Sequence, residues 1–172
     1  FLKATAVVKR YGGIVALGRA DLSARAGEVH ALLGENGAGK STFIQILAGA
    51  VRADTGTITL GGEAYRPNNP EAAQAAGVAA VFQELSLIPD LTVAENVWFR
   101  HEPLSPLGTV RAATLNAATA ELFSRYRFPD IRPDREVRRL TLAERQAVEI
   151  GKALSRDPRV LILDEATSAL PP

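Results

Sequence analysis

The densest chemistry in this 172-residue sequence lies in one stretch, Gly34-Glu35-Asn36-Gly37-Ala38-Gly39-Lys40-Ser41-Thr42. Glycine, four residues, then Gly-Lys-Ser fits a phosphate-binding loop. In such a turn the glycines let successive backbone N–H groups converge, and a following helix N-terminus adds partial positive charge at the same point. Lys40 would reach the β- and γ-phosphates of a nucleotide. Ser41 would offer its hydroxyl to Mg²⁺, and Thr42 could bond a neighbouring phosphate oxygen.

Acids suited to such a site come late in the chain. Arg159-Val160-Leu161-Ile162-Leu163 reads as a buried strand that carries Asp164-Glu165 at its C-terminal end. Asp164 would hold Mg²⁺, largely through water, because that ion gives up its hydration shell reluctantly. Glu165 is the candidate to orient and polarise an attacking water. Gln83 ends a second buried strand, Val78 to Phe82. It can offer a carbonyl to the metal or water and an amide elsewhere, and so could report the state of the phosphate. Tyr11, followed by two glycines, is either a platform for a base or a turn residue with one face packed, the commoner fate of such a tyrosine.

These residues need elements to hold them. Glu28-Val29-His30-Ala31-Leu32-Leu33, bounded by glycines, is expected as a short buried strand leading into the loop, and Ser41 to Ala48 as the helix leaving it, stopped by Gly49. Ala4 to Val8 and Ala20 to Ala24 suggest an antiparallel flap ahead of that strand. Gly56 to Gly62 with Glu63-Ala64-Tyr65 suggests a hairpin, and Pro70 to Ala76 a short helix ended by Gly77. Helical stretches are expected from Leu91 to Phe99 and Arg111 to Arg125, separated by Pro103, Pro106 and Gly108. Trp98 and Phe99 are assigned to the core. Thr141-Leu142-Ala143-Glu144 has the form of a capping box opening a helix to about Ser155. Strands alternating with helices place ligands at the carboxyl ends of a parallel sheet.

Bulk composition excludes several classes. Lys plus Arg number 20 against 19 Asp plus Glu, a net charge of +1, which is not the balance of a protein that coats nucleic acid. Arg132, Arg135, Arg138 and Arg139 are interleaved with Asp130, Asp134 and Glu136, as on a solvated mixed-charge surface. With no cysteine there is neither a disulfide nor a thiolate metal site. No apolar run approaches the roughly 20 residues that span a bilayer. Methionine is absent even at position 1, the pattern of an excised piece.

The order of these features resembles the nucleotide-binding domain of ABC transporters, from Ala4 to the last residue. Tyr11 matches the adenine-stacking aromatic, Gly34 to Thr42 the Walker A loop, Gln83 the Q-loop and Val160 to Glu165 the Walker B strand. Leu140-Thr141-Leu142-Ala143-Glu144 stands at the signature position. The stretches Glu28 to Thr42 and Gln83 to Asn96 are especially similar to the first of two fused cassettes in import ATPases for ribose, xylose or galactose. The resemblance implies an α/β P-loop NTPase (RecA-like) core with an N-terminal antiparallel β flap and an ABC-type α-helical insert. It divides the chain into an ATP-binding core (1–83), a helical insert (84–140) and a part with signature helix, Walker B strand and D-loop (141–172).

It further implies an ATPase that uses ATP and Mg²⁺. Lys40, Glu165 and Gln83 are then catalytic, and Ser41, Gln83 and Asp164 hold the metal. Tyr11, Gly34, Asn36, Gly37, Ala38, Gly39, Lys40, Ser41, Thr42, Gln83 and Asp164 bind the nucleotide, and Thr141 faces ATP of a partner cassette paired head to tail. The implied partners are that second cassette, fused or separate, transmembrane permease subunits and, indirectly, a solute-binding protein outside the membrane; nucleic acid is not among them. The implied place is the cytoplasmic face of a bacterial membrane.

The sequence departs from the family at several points. Leu142 and Ala143 replace the signature glycines, and Glu144 replaces glutamine, so an acid would repel phosphate unless it turns back to cap its own helix. Ala166 replaces the usual proline, and Pro171 stands where the D-loop often has aspartate. The switch histidine expected beyond the D-loop is missing, and neither His30 nor His101 can replace it by order in the chain. The piece alone is therefore expected to bind nucleotide weakly and hydrolyse it poorly. Two other readings remain: a soluble ABC-type protein without a permease, and a regulatory cassette that does not hydrolyse ATP.

Overall fold

Alternating apolar and polar residues at the N-terminus build β1 (Leu2–Tyr11), whose Leu2, Ala4 and Val7 are buried. The alternation skips a beat because Ala6 adopts φ +52° and forms a bulge, its N–H donated to Asp21 Oδ1 at 2.9 Å. β2 (Ile14–Ala24) returns antiparallel to β1, from Tyr11 opposite Ile14 to Leu2 opposite Ala24, with register shifts between Ala4 and Arg10. On the other edge of β1 lies β3 (Thr55–Leu60), joined through Gly61-Gly62 to the short β4 (Glu63–Ala64). The sheet order is β2-β1-β3-β4, which is the expected flap and hairpin merged into one sheet.

The computed structural model describes residues 1–104 and 108–164, and they form two compact units, Phe1–Val78 and Ala79 onward. The first unit also holds α1 (Lys40–Leu47) and α2 (Pro70–Ala75). α2 starts where the sequence says it should, with Pro70 in its first turn and the Asn69 side chain accepting the Ala72 N–H at 2.7 Å. The buried Tyr65 hydroxyl donates to the Leu47 carbonyl at 2.5 Å, satisfying an acceptor at the end of α1.

The second unit contains β5 (Val78–Val81), all but its first residue, and β6 (Val160–Leu163), paired as a two-stranded sheet, with α3 (Val93–Val97), α4 (Ala112–Arg125) and α5 (Leu142–Leu154). Val93 and Val97 of α3, Phe123 of α4 and Ala147 and Val148 of α5 meet in one core. Each of these valine and phenylalanine side chains contributes about 1.5–3 kcal/mol by leaving water. α5 passes close to α4 at Gly151, where a Cβ would stand 2.7 Å from Phe123 Cε1. Trp98 packs on this core as expected, and its indole N–H donates to Thr119 Oγ1 at 3.0 Å.

Three expectations are corrected. Glu28–Leu33 forms no strand: it belongs to neither sheet, and Val29 and Leu33 are 99% and 90% exposed. Apolar composition makes a segment eligible for a sheet, but only neighbours along its edges stabilise it there. Locally, Glu28 is engaged in a turn instead, accepting the Arg25 N–H at 2.9 Å and meeting His30 Nε2 at 2.9 Å. Those two bonds, the first the larger, hold the Glu28 carboxyl below its usual range. Secondly, Phe99 is exposed, because α3 ends at Val97 and the chain turns away through Arg100 at φ +65°. Thirdly, β1 and β2 are about twice the length read from the sequence, since each borrows ladder bonds from the other.

Candidate functional site

Main-chain geometry, more than side chains, shapes the loop that enters α1. Gly37 and Gly39 sit at φ +88° and +85°, where glycine alone is comfortable. Gly39 is also pressed against β2: a Cβ there would lie 2.7 Å from the Ala16 carbonyl oxygen. The Ala38 N–H closes a turn on the Glu35 carbonyl at 3.1 Å, and the helical ladder begins with the Phe43 N–H on the Gly39 carbonyl at 2.9 Å. The N–H groups of Lys40, Ser41 and Thr42 precede that bond, and no side chain caps them. Lys40 arches back over the loop, its ammonium donating to the carbonyls of Gly34 at 2.7 Å and Glu35 at 2.9 Å.

This donor set suits a phosphate. It consists of uncapped N–H groups at the positive end of a helix, an ammonium, and the exposed Ser41 hydroxyl, which makes no hydrogen bond among the described residues. Asn36 is exposed beside it. Tyr11 closes β1 opposite Ile14 and is 48% exposed, with Lys9 Nζ 5.4 Å from the ring centroid. One side of the ring is thus met by a cation.

In the second unit, the Asp164 N–H donates to the Val81 carbonyl at 2.9 Å, which ties the C-terminal ends of β5 and β6 together. Gln83 is exposed just beyond β5. The structure thus gathers Gln83 and Asp164 at adjoining strand ends, and Gly34 to Thr42 on one loop. Glu165, with Ala166 and the D-loop positions through Pro171, lies outside the described residues. Among the described residues no three His, Cys, Asp or Glu side chains converge on a common point.

Thr141 caps α5 as the sequence reading expected. Its hydroxyl accepts the Glu144 N–H at 3.3 Å, while Glu144 Oε2 accepts the Thr141 N–H at 2.7 Å. Arg135 completes the arrangement by donating to Glu144 Oε1 at 2.8 Å. The Thr141 bond first, then Arg135, holds the Glu144 carboxyl below its usual range. The acid at the signature position has therefore turned inward and is neutralised. The neighbouring arginines behave as the mixed-charge surface read from the sequence, Arg132 pairing with Asp134 at 2.6 Å and Arg138 with Glu136 at 2.7 Å.

Sequence reasoning missed a second capping box, Thr92 with Glu95 at the start of α3, although its Thr-x-x-Glu signal was present. It also missed Ser86, Asn96 and Glu149. The Ser86–Glu149 contact spans 63 residues and leaves no local signal.

A glycine-rich loop with this spacing that opens a helix defines the class: a P-loop nucleotide-binding protein. The family model described as ABC transporter matches residues 17–168, so the chain belongs to the ABC transporter family, whose nucleotide is ATP. A ribose import ATP-binding protein of Rhizobium johnstonii is 51% identical over 164 residues, which are 95% of this chain and 32% of that protein. A ribose/galactose/methyl galactoside import ATP-binding protein of Burkholderia lata, itself so named putatively, is 50% identical over 169 residues, 98% of this chain and 32% of that one. The chain thus spans about a third of the length of these relatives. Among solved structures, an ATP-binding cassette of an ABC transporter in its ADP conformation superimposes with a TM-score of 0.82 at 25% identity, covering 99% of this chain and 70% of that one. A dimeric bacterial ABC transporter cassette has the same fold, with a TM-score of 0.80 at 24% identity over 99% of this chain and 76% of its own. No helix among the described residues is long and apolar enough to cross a membrane.

Proposed function

We propose that this chain is the ATP-binding and ATP-hydrolysing part of an ABC importer whose cargo is a monosaccharide. The observation that carries the reading is the loop Gly34–Thr42, with its uncapped helix N–H groups and the Lys40 ammonium at one point. The sugar branch is supported by the names of the relatives that are about half identical to this chain.

In this reading, Gly34, Asn36, Gly37, Ala38, Gly39 and Thr42 cradle the phosphates through the loop, and Lys40 neutralises the β- and γ-phosphates. Tyr11 stacks on the adenine. Ser41, Gln83 and Asp164 would hold Mg²⁺, which when bound supplies charge neutralisation to the phosphates. Glu165 orients a water and accepts its proton as the water oxygen attacks the γ-phosphorus. The bond from that phosphorus to its bridging oxygen breaks, and ADP leaves with the bridging oxygen. Gln83 senses whether the γ-phosphate is present.

The start of α5 at Thr141 would face ATP held by a second cassette paired head to tail, as the dimeric form of a cassette with this fold suggests. The inward turn of Glu144 removes the repulsion that its charge would otherwise bring there. The functional division follows 1–83, 84–140 and 141–172. The second cassette, permease subunits and an external solute-binding protein complete the machine at the cytoplasmic face of a bacterial membrane.

The test is made on the full-length protein. MgATP hydrolysis should fall about 100-fold or more in Glu165→Gln while ATP binding persists. With its permease in proteoliposomes, the wild type should drive ribose-type uptake. Equal turnover by wild type and Glu165→Gln, or hydrolysis with no sugar uptake in the presence of permease and binding protein, would overturn the reading.

A further inference from the structure

Glu149 is a charged residue in the middle of α5, only 8% exposed, and the reading above gives it no task. Both its oxygens are taken by a single residue of the loop beyond β5. The Ser86 hydroxyl donates to Oε1 at 2.6 Å and the Ser86 N–H to Oε2 at 3.2 Å. Lys152, one turn further along α5, donates to the Ser86 carbonyl at 3.1 Å and to its hydroxyl oxygen at 2.9 Å. Every polar atom of Ser86 is thus engaged by two side chains of α5.

The same loop is pinned again a few residues on. Asn96 of α3, 1% exposed, accepts the Ile88 N–H at 2.7 Å and donates to the Ile88 carbonyl at 3.0 Å. The carbonyls of Pro89 and Leu91 accept from the Arg138 and Val137 N–H groups at 2.9 and 3.0 Å. From Ser86 to Leu91 the loop therefore belongs mechanically to the helices. Only the stretch from Phe82 to Leu85 is left to flex, and it contains Gln83, whose exposed side chain makes no hydrogen bond among the described residues. Three residues of chain span about 10 Å at most, so little slack separates Gln83 from the Ser86 anchor.

We propose that Glu149 is a positioning residue that, with Lys152, clamps Ser86 so that movement of the loop at Gln83 is delivered to α5 and its Thr141 end. The proposal rests on the import-ATPase reading and adds to it a route of coupling within the second unit. Glu149 touches no reacting atom. Its charge matters because a carboxylate accepts both Ser86 donors at once, whereas an amide offers one acceptor and opposes the other donor with an N–H. Such coupling needs Ser86 to stay clamped to α5 while the stretch at Gln83 moves between its two positions.

Hydrogen exchange in the full-length protein assembled with its permease tests this, with and without MgATP. In the wild type, nucleotide should change exchange at Gln83 to Leu85 and at the first turns of α5 together. In Glu149→Ala the change near Gln83 should persist while that at α5 disappears, ATP affinity should stay within about twofold, and stimulation of ATPase by loaded solute-binding protein should fall roughly fivefold or more. Ser86→Ala should do the same more weakly, and Ser86→Thr, which keeps the hydroxyl, should restore both. Should Glu149→Ala melt early, the Ser86 pair at an exposed position carries the comparison. An undiminished α5 response in Glu149→Ala, or equal behaviour of Ser86→Ala and Ser86→Thr, would overturn the clamp while leaving the import-ATPase reading intact. A wild-type protein that does not bind MgATP would instead overturn that reading, and the clamp with it.

Discussion

Two loops follow strand-like sequences in this chain, and they are built on opposite plans. Gly34–Ala38 is exposed, holds itself by one turn bond and two lysine contacts, and leads to N–H groups at the start of α1 that are left uncapped. The loop from Phe82 to Leu91 is fixed over most of its length by Glu149, Lys152, Asn96 and main-chain donors. A loop that is to close on a ligand keeps its donors available for that ligand. A loop that is to pass on a displacement must have none to spare, since slack at any joint would absorb the motion.

The contrast can be broken by a pair of substitutions with opposite signatures. Lys40→Ala in the full-length protein should weaken MgATP binding roughly 100-fold, because a charge-assisted partner of the phosphates is lost. Its melting temperature should hardly move, since the ammonium bonds only exposed loop carbonyls. Isothermal titration and thermal melting separate the two effects. Asn96→Ala should do the reverse: the part-buried main-chain groups of Ile88 lose their partners and a 1% exposed side chain is removed, so stability should fall by roughly 1–3 kcal/mol in urea unfolding with ATP affinity little changed. Were Asn96→Ala to impair ATP binding as severely as Lys40→Ala, the two loops would not differ as described.

A smaller effect sharpens the picture of α5 as a rigid lever. Gly151→Ala should cost about 1–3 kcal/mol, because the new methyl meets the Phe123 ring edge in a filled core. Phe123→Leu on the same background should recover part of that loss. The smallest expected change concerns pH. Glu144 has its carboxyl pKa below the unfolded value, so it contributes stability above about pH 4.5 that is lost as pH falls through the folded value. Glu144→Gln keeps an acceptor for the Thr141 N–H but cannot titrate. Its melting temperature should lie slightly below the wild type near neutral pH, and the gap should close as pH falls through the folded value; a gap that stays constant into acid would contradict the charged-cap account.

What could be read without coordinates shares one property: it is decided within a few residues. The Gly-Lys-Ser loop, the Asn69-Pro70 start of α2 and the Thr141–Glu144 box each close bonds across three to six positions, so residue type and spacing suffice. The strand expected at Glu28–Leu33 failed for the converse reason. Its apolar residues are right for a sheet interior, but pairing is a property of neighbours, and a local turn through Glu28 took its place.

By itself, then, the sequence determined the glycine-rich loop at the head of α1 and the starts of α2 and α5, because these depend on short-range backbone stereochemistry, and its order of motifs carried the resemblance to the ABC transporter family. Only the tertiary structure decided that Glu144 is neutralised by Arg135 and that Ser86 is gripped by Glu149 and Lys152. Those contacts join residues nine and more than sixty positions apart, and no propensity or spacing rule brings such partners together before the core has packed.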